Sequence, residues 1–371
     1  MMRPRIRLPE TGVTDPVGRL PAMLFTASTL KDSPENVRFF VAANLASGVD
    51  HMFVFLDKPR EPEQQEVAAL LADHPQVTCI PTAKKTWWSD GRPASLNVRQ
   101  RINANWTRTL LEPFTWAEWL FHVDGDEVAC LDQEGLGAVP AEVDAVRLVP
   151  WEAVSQWTQP ARPTRFKRLL EDAELNLLHV LGTIRDPSNQ AYFHGHVMGK
   201  AGVRPASGLA LTLHEVVSED GKSQPLHEDP RLRVLHYDAP SGEEFVRKWT
   251  ALAKAGPARY RASRAPSARA LRALVSSDLP DEIRTKYLRR IYDLTTRDDV
   301  ELLDELGLLV EHDPEHSGIT PRPLPKGAAE QLASRVAELS GAPKAGFFID
   351  DAPRAGRRGG NGRPKRLVRR G

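Results

Sequence analysis

The sequence predicts an α/β fold: a mostly parallel, Rossmann-like sheet flanked by helices, followed by a C-terminal helical subdomain. Short apolar segments alternate with helices of about 12 to 16 residues in the N-terminal part, as in consecutive βαβ units. Crossovers in such units make neighbouring strands parallel. Polar residues follow several of the apolar segments, and open α/β sheets bind their ligands at these carboxyl ends of strands.

The alternating elements begin near residue 21. The first predicted strand covers residues 21–27. Ser33-Pro34-Glu35 then supplies the cap residue, proline and acid that start a helix. Gly48 can end that helix. The other elements predicted before residue 150 are strands at 52–56, 77–80, 119–123 and 145–149, and helices at 62–74 and 96–111.

The second half of the chain is less regular. Prolines and tryptophans in 151–200 predict a loop-rich insertion that ends in a strand at 192–200. A strand at 233–236 and a helix from Ser241 follow, then helices at 268–275, 281–295, 298–309 and 328–339. We therefore expect an irregular arm at 1–20, an α/β domain at 21–256, a helical region at 257–345 and a basic disordered tail at 346–371.

Composition narrows the function classes. The 371 residues carry a formal net charge of +1, so no global field points to nucleic acid, and none is expected as a partner. No apolar run is long enough for a transmembrane helix, and the basic start lacks the apolar core of a secretory signal, so a cytoplasmic location is expected. Cys79 and Cys130 are expected to be buried free thiols. A solvated basic tail is expected, and weak contact of the tail with anionic lipid or nucleic acid is the alternative.

An acidic cluster follows the strand at 119–123. Asp124-Gly125-Asp126-Glu127 places three acids within four residues, and their mutual repulsion calls for a cation. Asp124 and Asp126 are two apart, so an extended chain presents both carboxylates on one side. Hard divalent cations such as Mn²⁺ or Mg²⁺ prefer such oxygen ligands. The alternative is a solvated acidic turn.

Two further polar residues, Thr26 and Asp57, are expected in the same crevice. Thr26 and Asp57 are predicted, like Asp124, to lie at carboxyl ends of parallel strands. Asp57 could bond a ribose hydroxyl or base of a nucleotide, or simply cap a turn. Lys200 and Arg204 follow the strand at 192–200 and suit a diphosphate, although an ordinary surface pair is equally open.

The predicted strand at 192–200 also carries two histidines. His194 and His196 share one face of that strand, but no nearby cysteines or acids complete a zinc site in the sequence. Structural or substrate-contact roles are therefore favoured for both.

Several segments together resemble a known family. Gln100-Arg101-Ile102-Asn103 precedes WLFHVDGDE, and FHGHVMGKAGVRP, LTLHEV and LRVLHYDAPSGEEFVRKW follow in order. This order is similar to that of the family-2-like glycosyltransferases, which have the GT-A fold and a D-x-D motif, near their family-92-like branch. The resemblance covers roughly residues 20–255. Two positions depart from it: Leu30-Lys31-Asp32 replaces the usual Asn-Glu after the first strand, and Val128 replaces an aromatic residue.

The resemblance implies a metal-dependent transferase, in which 21–256 binds a nucleotide-sugar and an acceptor that is a glycan, a lipid or a small molecule. Asp124 and Asp126 would hold Mn²⁺ or Mg²⁺ against the diphosphate, with His214 as the third ligand or a diphosphate contact. Arg101, on its helix, would lie near the donor; a surface salt bridge is the alternative.

The resemblance also implies a reaction that inverts the sugar carbon, which needs a group to take the acceptor's proton. Glu152 is the candidate base, and Asp126 is expected to take part in catalysis through the cation. One alternative function is a nucleotidyl or phosphoryl transferase using the same acids, although no glycine-rich phosphate loop follows the first strand. The other is a non-catalytic carbohydrate-binding relative.

Overall fold

The computed structural model describes residues 22–254 and 265–350. The predicted arm at 1–20 and residues 351–371 of the predicted basic tail lie outside the described residues, whereas 346–350 are described and contact α3. The strands are β1 Met23–Leu30, β2 His51–Asp57, β3 Val77–Thr82, β4 Ala117–His122, β5 Glu127–Cys130, β6 Ala145–Ala153, β7 Arg165–Lys167, β8 Lys200–Val203, β9 Ala210–Leu211, β10 Val216–Val217, β11 His227–His236 and β12 Leu309–Glu311. The helices are α1 Pro34–Ala46, α2 Pro62–Leu71, α3 Leu96–Leu111, α4 Gln133–Gly137, α5 Asp172–Val180, α6 Asn189–Tyr192, α7 Gly242–Lys254, α8 Ala265–Val275, α9 Asp281–Thr295, α10 Val300–Glu305 and α11 Ala328–Ser340.

A curled ten-stranded sheet forms the centre of the molecule. β3, β2, β1 and β4 lie side by side and parallel. β8 is antiparallel to both β4 and β6, and β11 then runs parallel to β6 and antiparallel to β5. β12 and β7 complete the sheet. Most strands therefore run in one direction, and the predicted mostly parallel α/β fold of the Rossmann-like GT-A type is confirmed.

Helices cover both faces of the sheet. Successive side chains of a strand point to opposite faces, so one strand contributes apolar side chains to both sides. On β1, Leu24 packs with Val37 and Val41 of α1 on one face. Its neighbour Phe25 packs on the other face with Trp106 of α3. The apolar pattern of β1 and β2 thus places α1 and α2 on one side and α3 on the other.

The first strand is longer than the sequence predicts. β1 continues through Thr29 and Leu30, and the Asn103 side-chain amide donates to Thr29 Oγ1 at 2.9 Å. The prediction that Thr26 lies at a carboxyl end is therefore wrong, because Thr26 is fully buried in the middle of β1, opposite Met52 and Phe121.

The predicted strand at 192–200 is also wrong. α6 ends at Tyr192 and β8 begins only at Lys200, with irregular chain between them. Gly199 has φ +66° and approaches the Leu148 carbonyl so closely that a Cβ would lie 2.0 Å from its oxygen. Glycine makes that approach possible and ends the irregular segment.

The C-terminal chain folds back over the α/β core. Tyr292 of α9 packs with Phe245 of α7, and β12 joins the sheet beside β7. Pro314 and Ser317 then contact the end of α1, and Arg322 makes an ion pair of 2.6 Å with Asp50, between α1 and β2. α11 finally packs on α3. No helix in the described ranges is long and apolar enough to cross a membrane.

Candidate active site

The acidic loop 124–127 connects β4 to β5 at the carboxyl edge of the sheet. The Asp124 backbone N–H donates to Glu127 Oε2 at 2.7 Å, and the Glu127 N–H donates to the Asp124 carbonyl at 3.1 Å. Gly125 lies against Leu30, where a Cβ would be 2.7 Å from a methyl carbon. The loop is therefore closed on itself, and Glu127 acts as its internal acceptor.

Asp124 is neutralised by a buried lysine. Lys200 Nζ lies 2.5 Å from Asp124 Oδ2 and 3.1 Å from Glu127 Oε2, and its side chain is fully buried. Burial alone would lower the pKa of Lys200, but the two carboxylates raise it. Gln100 donates to the other Asp124 oxygen. The predicted contact of Lys200 with a diphosphate stays a prediction, and the alternative of an ordinary surface pair is wrong, because Lys200 is buried and its ammonium is engaged by acids.

Arg204, predicted to lie with Lys200, is elsewhere. Its guanidinium pairs with Glu118 at 3.1 Å and lies 4.3 Å over the Trp119 ring. The sequence placed these two cations together because they are close in the chain, but they project from opposite ends of β8.

Asp126 is more open than Asp124. Its side chain is 37% exposed, and its Oδ2 lies 3.3 Å from Lys248 Nζ and 3.7 Å from His236 Nε2. Burial would raise the pKa of Asp126, but Lys248 and His236 hold it well below its usual range. Burial would likewise lower the pKa of His236, whereas Asp126 and Asp238 raise it to about 9.

Three histidines extend the site behind this loop. His196 Nε2 lies 3.1 Å from Glu127 Oε1, and the His196 ring stacks on His236 with centroids 5.0 Å apart. His214 Nδ1 donates to the Gly199 carbonyl at 2.9 Å, which leaves its Nε2 as an acceptor. Burial, helped by Lys200 and His196, lowers the pKa of His214 to about 3, so this ring is neutral.

Two groups of side chains in the described ranges could hold a metal ion. They are Asp126 with His236 and Asp238, and Glu127 with His196 and His236; within each group the ligand atoms lie within 4.8 Å of one another. Mixed carboxylate and imidazole donors fit Mn²⁺ and similar cations. Asp126 belongs to the first group, whereas Asp124 and His214 belong to neither.

Glu152 lies at the end of β6, on the same edge of the sheet. Its carboxylate is 2.8 Å from Lys167 Nζ and accepts from the backbone N–H groups of His194, at 2.7 Å, and Gly195. Burial would raise the pKa of Glu152, but Lys167 and His194 lower it. The carboxylate therefore holds the chain next to His196 in place.

Asp57, at the end of β2, is held by arginines. Arg92 Nη2 contacts both of its oxygens, at 2.7 and 2.9 Å, and Arg99 Nη2 lies 2.9 Å from Oδ2. Its predicted contact with a ribose or base stays a prediction.

Arg101 and Thr26, the other two residues predicted to contact the nucleotide-sugar, do not lie together. The Arg101 guanidinium, on α3 as predicted, donates to the Ile349 carbonyl and lies 4.7 Å over the Phe348 ring. Thr26 is inside the sheet, and its Oγ1 has no hydrogen-bond partner among the described residues.

Sequence reasoning missed His236, Asp238 and Lys248. A usable signal was present: His236 and Asp238 follow a strand end as Asp124 and Asp126 do, and β11 is parallel to β6. Lys248 lies near the middle of α7 and carries no local signal for this contact, because Asp126, which it meets, is 122 residues away in the chain.

A cleft opens beside Asp126, between the start of α1 and the start of α7. Phe39, Tyr237, Arg162 and Arg247 line it. Arg162 lies 4.0 Å over the Phe39 ring, and Arg247 pairs with Asp32 at 2.8 Å. The cleft thus combines aromatic and cationic side chains next to the acidic loop.

No protein-family model matches the sequence, and no curated protein matches it. Similar solved structures include the inositol-1-phosphate CTP transferase from T. maritima, at 13% identity over 41% of this chain and 62% of that one, with a TM-score of 0.20. The WbbM bifunctional glycosyltransferase is 15% identical over 53% of this chain and 34% of that one, with a TM-score of 0.23. HddC from Yersinia pseudotuberculosis is 10% identical over 49% of this chain and 77% of that one, with a TM-score of 0.25. The chain thus spans less than two thirds of the first two, and likenesses with such TM-scores carry no argument about activity.

Proposed function

We propose that this protein is a metal-dependent glycosyltransferase that moves a sugar from a nucleotide-sugar to a hydroxyl acceptor with inversion. One observation carries the proposal. Asp126 and His236, from two separate strand ends, meet Asp238 at the carboxyl edge of a Rossmann-like sheet, in a group suited to a divalent cation. That edge is where an open α/β sheet binds a nucleotide.

The proposed cation is Mn²⁺ or Mg²⁺, held by Asp126, His236 and Asp238; Asp124 and His214, which the family resemblance suggests, lie outside this group and are proposed only as additional ligands of the cation. When bound, it would offset the negative charge that develops on the departing nucleoside diphosphate. Asp124, already paired with Lys200, keeps the loop in position for Asp126. His214 is neutral and its Nδ1 donates to the Gly199 carbonyl, so the lone pair of its Nε2 is available to a ligand.

The donor is proposed to extend from the loop toward β2 and α3, where Asp57 and Arg101 lie. Lys200 is proposed to place its positive charge near the donor diphosphate while it pairs with Asp124 and Glu127. Thr26, inside the sheet, contributes through packing rather than through contact with a ligand. The cleft lined by Phe39 and Arg162 is proposed for the acceptor, since sugars pack on aromatic rings and bond to arginine.

Glu152 remains the proposed base by its position at the end of β6. Because its carboxylate is paired with Lys167, it can accept a proton only if that pair loosens when substrates bind. A Glu152→Gln variant that retains full transfer activity would remove it from the mechanism and leave it a positioning role.

The experiment screens UDP-, GDP- and other nucleotide-sugars for hydrolysis with Mn²⁺, alongside thermal stabilisation by UDP or GDP with Mn²⁺. Asp126→Asn should lower turnover at least about 100-fold, as loss of a metal ligand in the transition state does. Asp220→Asn, at an exposed pair with Lys222, is the matched control. Release of pyrophosphate from nucleoside triphosphates would instead indicate nucleotidyl transfer. Equal hydrolysis of every donor by parent and Asp126→Asn would refute the role of Asp126.

A further inference from the structure

Lys248 occupies an unusual position at the acidic site. Its ammonium lies 3.3 Å from Asp126 Oδ2 and 3.2 Å from the Asp238 carbonyl, and it also contacts the Asp238 carboxylate. Its side chain is 35% exposed, whereas that of Lys200, the other lysine of this site, is fully buried. Lys248 therefore contacts both acids and has a route to solvent.

The same two acids belong to a group that could hold a metal ion, in which His236 would be the nitrogen donor after it has released its proton to solvent. His236 is buried, and its Nε2 faces Asp126 and Asp238 at 3.7 and 3.9 Å, too far for hydrogen bonds. Its Nδ1 has no hydrogen-bond partner in the described part of the chain. A buried imidazole with neither nitrogen fully engaged is a costly arrangement without a ligand, which is an indication independent of the acids.

A divalent cation and an ammonium cannot both occupy the space between Asp126 and Asp238. Each would take the same carboxylate oxygens, and their positive charges repel at such distances. The lysine must therefore leave when the cation enters. It lies midway along α7, next to Arg247, which lines the cleft beside Asp126, so its flexible stem can carry the ammonium outward without moving the helix.

We propose that Lys248 is a built-in counter-cation that competes with the divalent cation for Asp126 and Asp238, and that its displaced ammonium then contacts the diphosphate of the donor. Only the second part of this proposal, the contact of Lys248 with the donor diphosphate, rests on the proposed function. Before the cation binds, Lys248 offsets the repulsion between the two acids. Afterwards, it supplies a point charge suited to a phosphate oxygen.

The test measures Mn²⁺ binding directly, by calorimetry and by the electron paramagnetic resonance signal of free Mn²⁺, with no donor present. Lys248→Met keeps the length of the side chain but removes its charge. It should bind Mn²⁺ at least tenfold more tightly than the parent. Lys222→Met, at an exposed pair with Asp220, is the matched control and should bind like the parent. Asp238→Asn should weaken Mn²⁺ binding, which locates the ion.

A second measurement titrates UDP and GDP, each at saturating Mn²⁺. Lys248→Met should bind the preferred diphosphate at least tenfold more weakly than the parent, while Lys248→Arg should recover most of this affinity. Mn²⁺ affinity in Lys248→Met within twofold of the parent, or no Mn²⁺ binding by either protein, would overturn the competition. Unchanged diphosphate affinity would overturn the second half. If Mn²⁺ competition is observed but neither diphosphate binds the parent, the proposed glycosyltransferase fails while the competition stands.

Discussion

At the residue scale, each acid of the D-x-D pair lies against a lysine from another part of the chain. Lys200 reaches Asp124 from β8, and Lys248 reaches Asp126 from α7. The sequence could reveal the acids, because they are two residues apart and follow an apolar strand. It could not reveal the lysines, which are 76 and 122 residues away and carry no local pattern. Long-range pairing of this kind depends on the finished fold.

Lys200→Met is expected to destabilise the protein by about 3 kcal/mol or more, because it leaves the buried Glu127 and its neighbour Asp124 without their counter-charge. Urea unfolding followed by circular dichroism measures the change. The exposed Lys222→Met should shift stability by less than about 0.5 kcal/mol. An equally stable Lys200→Met protein would mean that the ion pair contributes nothing.

Gly195→Ala is expected to disturb the histidines of the site. A Cβ at this position would lie 2.4 Å from His236 Cε1 and Nδ1, and 2.8 Å from Glu152 Oε1. Since both neighbours are buried, the strain should cost about 1–3 kcal/mol and displace His236 from Asp126. Mn²⁺ binding should weaken more than about tenfold. Gly137→Ala, where a Cβ meets no atom within 4 Å, serves as the comparison, and identical Mn²⁺ binding in both variants would contradict the expectation.

At the scale of elements, the sequence predicted the regular α/β part well and the irregular connections poorly. Periodicity located α1, α3 and β2 because each buries a whole stripe or strand in the core. The segment between α6 and β8, predicted to be a strand, is irregular. Its path is set instead by Glu152, which accepts from two of its backbone N–H groups, and by Gly199.

Asp298 connects the segment between α9 and α10 to that same region. Its carboxylate lies 2.9 Å from both Lys167 Nζ and His194 Nε2 and accepts from the Ser155 N–H at 2.8 Å. Burial would raise the pKa of Asp298, but Lys167 and His194 lower it to about 2, from an ordinary value of 3.8. A depressed carboxyl pKa stabilises the fold above the ordinary value, and this stabilisation is lost as the pH falls through the folded pKa.

Asp298→Asn should therefore destabilise the protein by about 2 kcal/mol or more at pH 7, because the lysine loses one of its two buried acids. The difference from the parent should shrink as the pH is lowered from about 4 to about 2, where the parent's own carboxyl becomes protonated. Urea unfolding at a series of pH values measures this. If the difference in free energy of unfolding between Asp298→Asn and the parent stays constant across this pH range, the ionised carboxyl of Asp298 is not the cause of the destabilisation.

At the scale of the whole molecule, the C-terminal chain covers the face of the sheet that carries α3. Trp106 Nε1 donates to the Leu339 carbonyl at 3.2 Å, and Lys344 lies 4.5 Å over the Trp87 ring. Phe348 then meets Arg101, next to the Gln100 that holds Asp124. The sequence predicted a helix at 328–339 but not what it covers, because its short apolar stripe gives no information about its partner.

A chain ending at residue 326 should consequently lose about 2–4 kcal/mol of stability, since Leu332 and the cover over Trp106 are removed. Tryptophan emission in the native state should shift to the red as Trp87 and Trp106 meet water. A chain ending at residue 350 keeps every described contact and should unfold like the parent. Because Arg101 also loses Phe348 and Ile349, stabilisation by UDP or GDP with Mn²⁺ should change in the shorter chain alone. Equal unfolding midpoints for the two truncated chains would show that the C-terminal segment does not support the core.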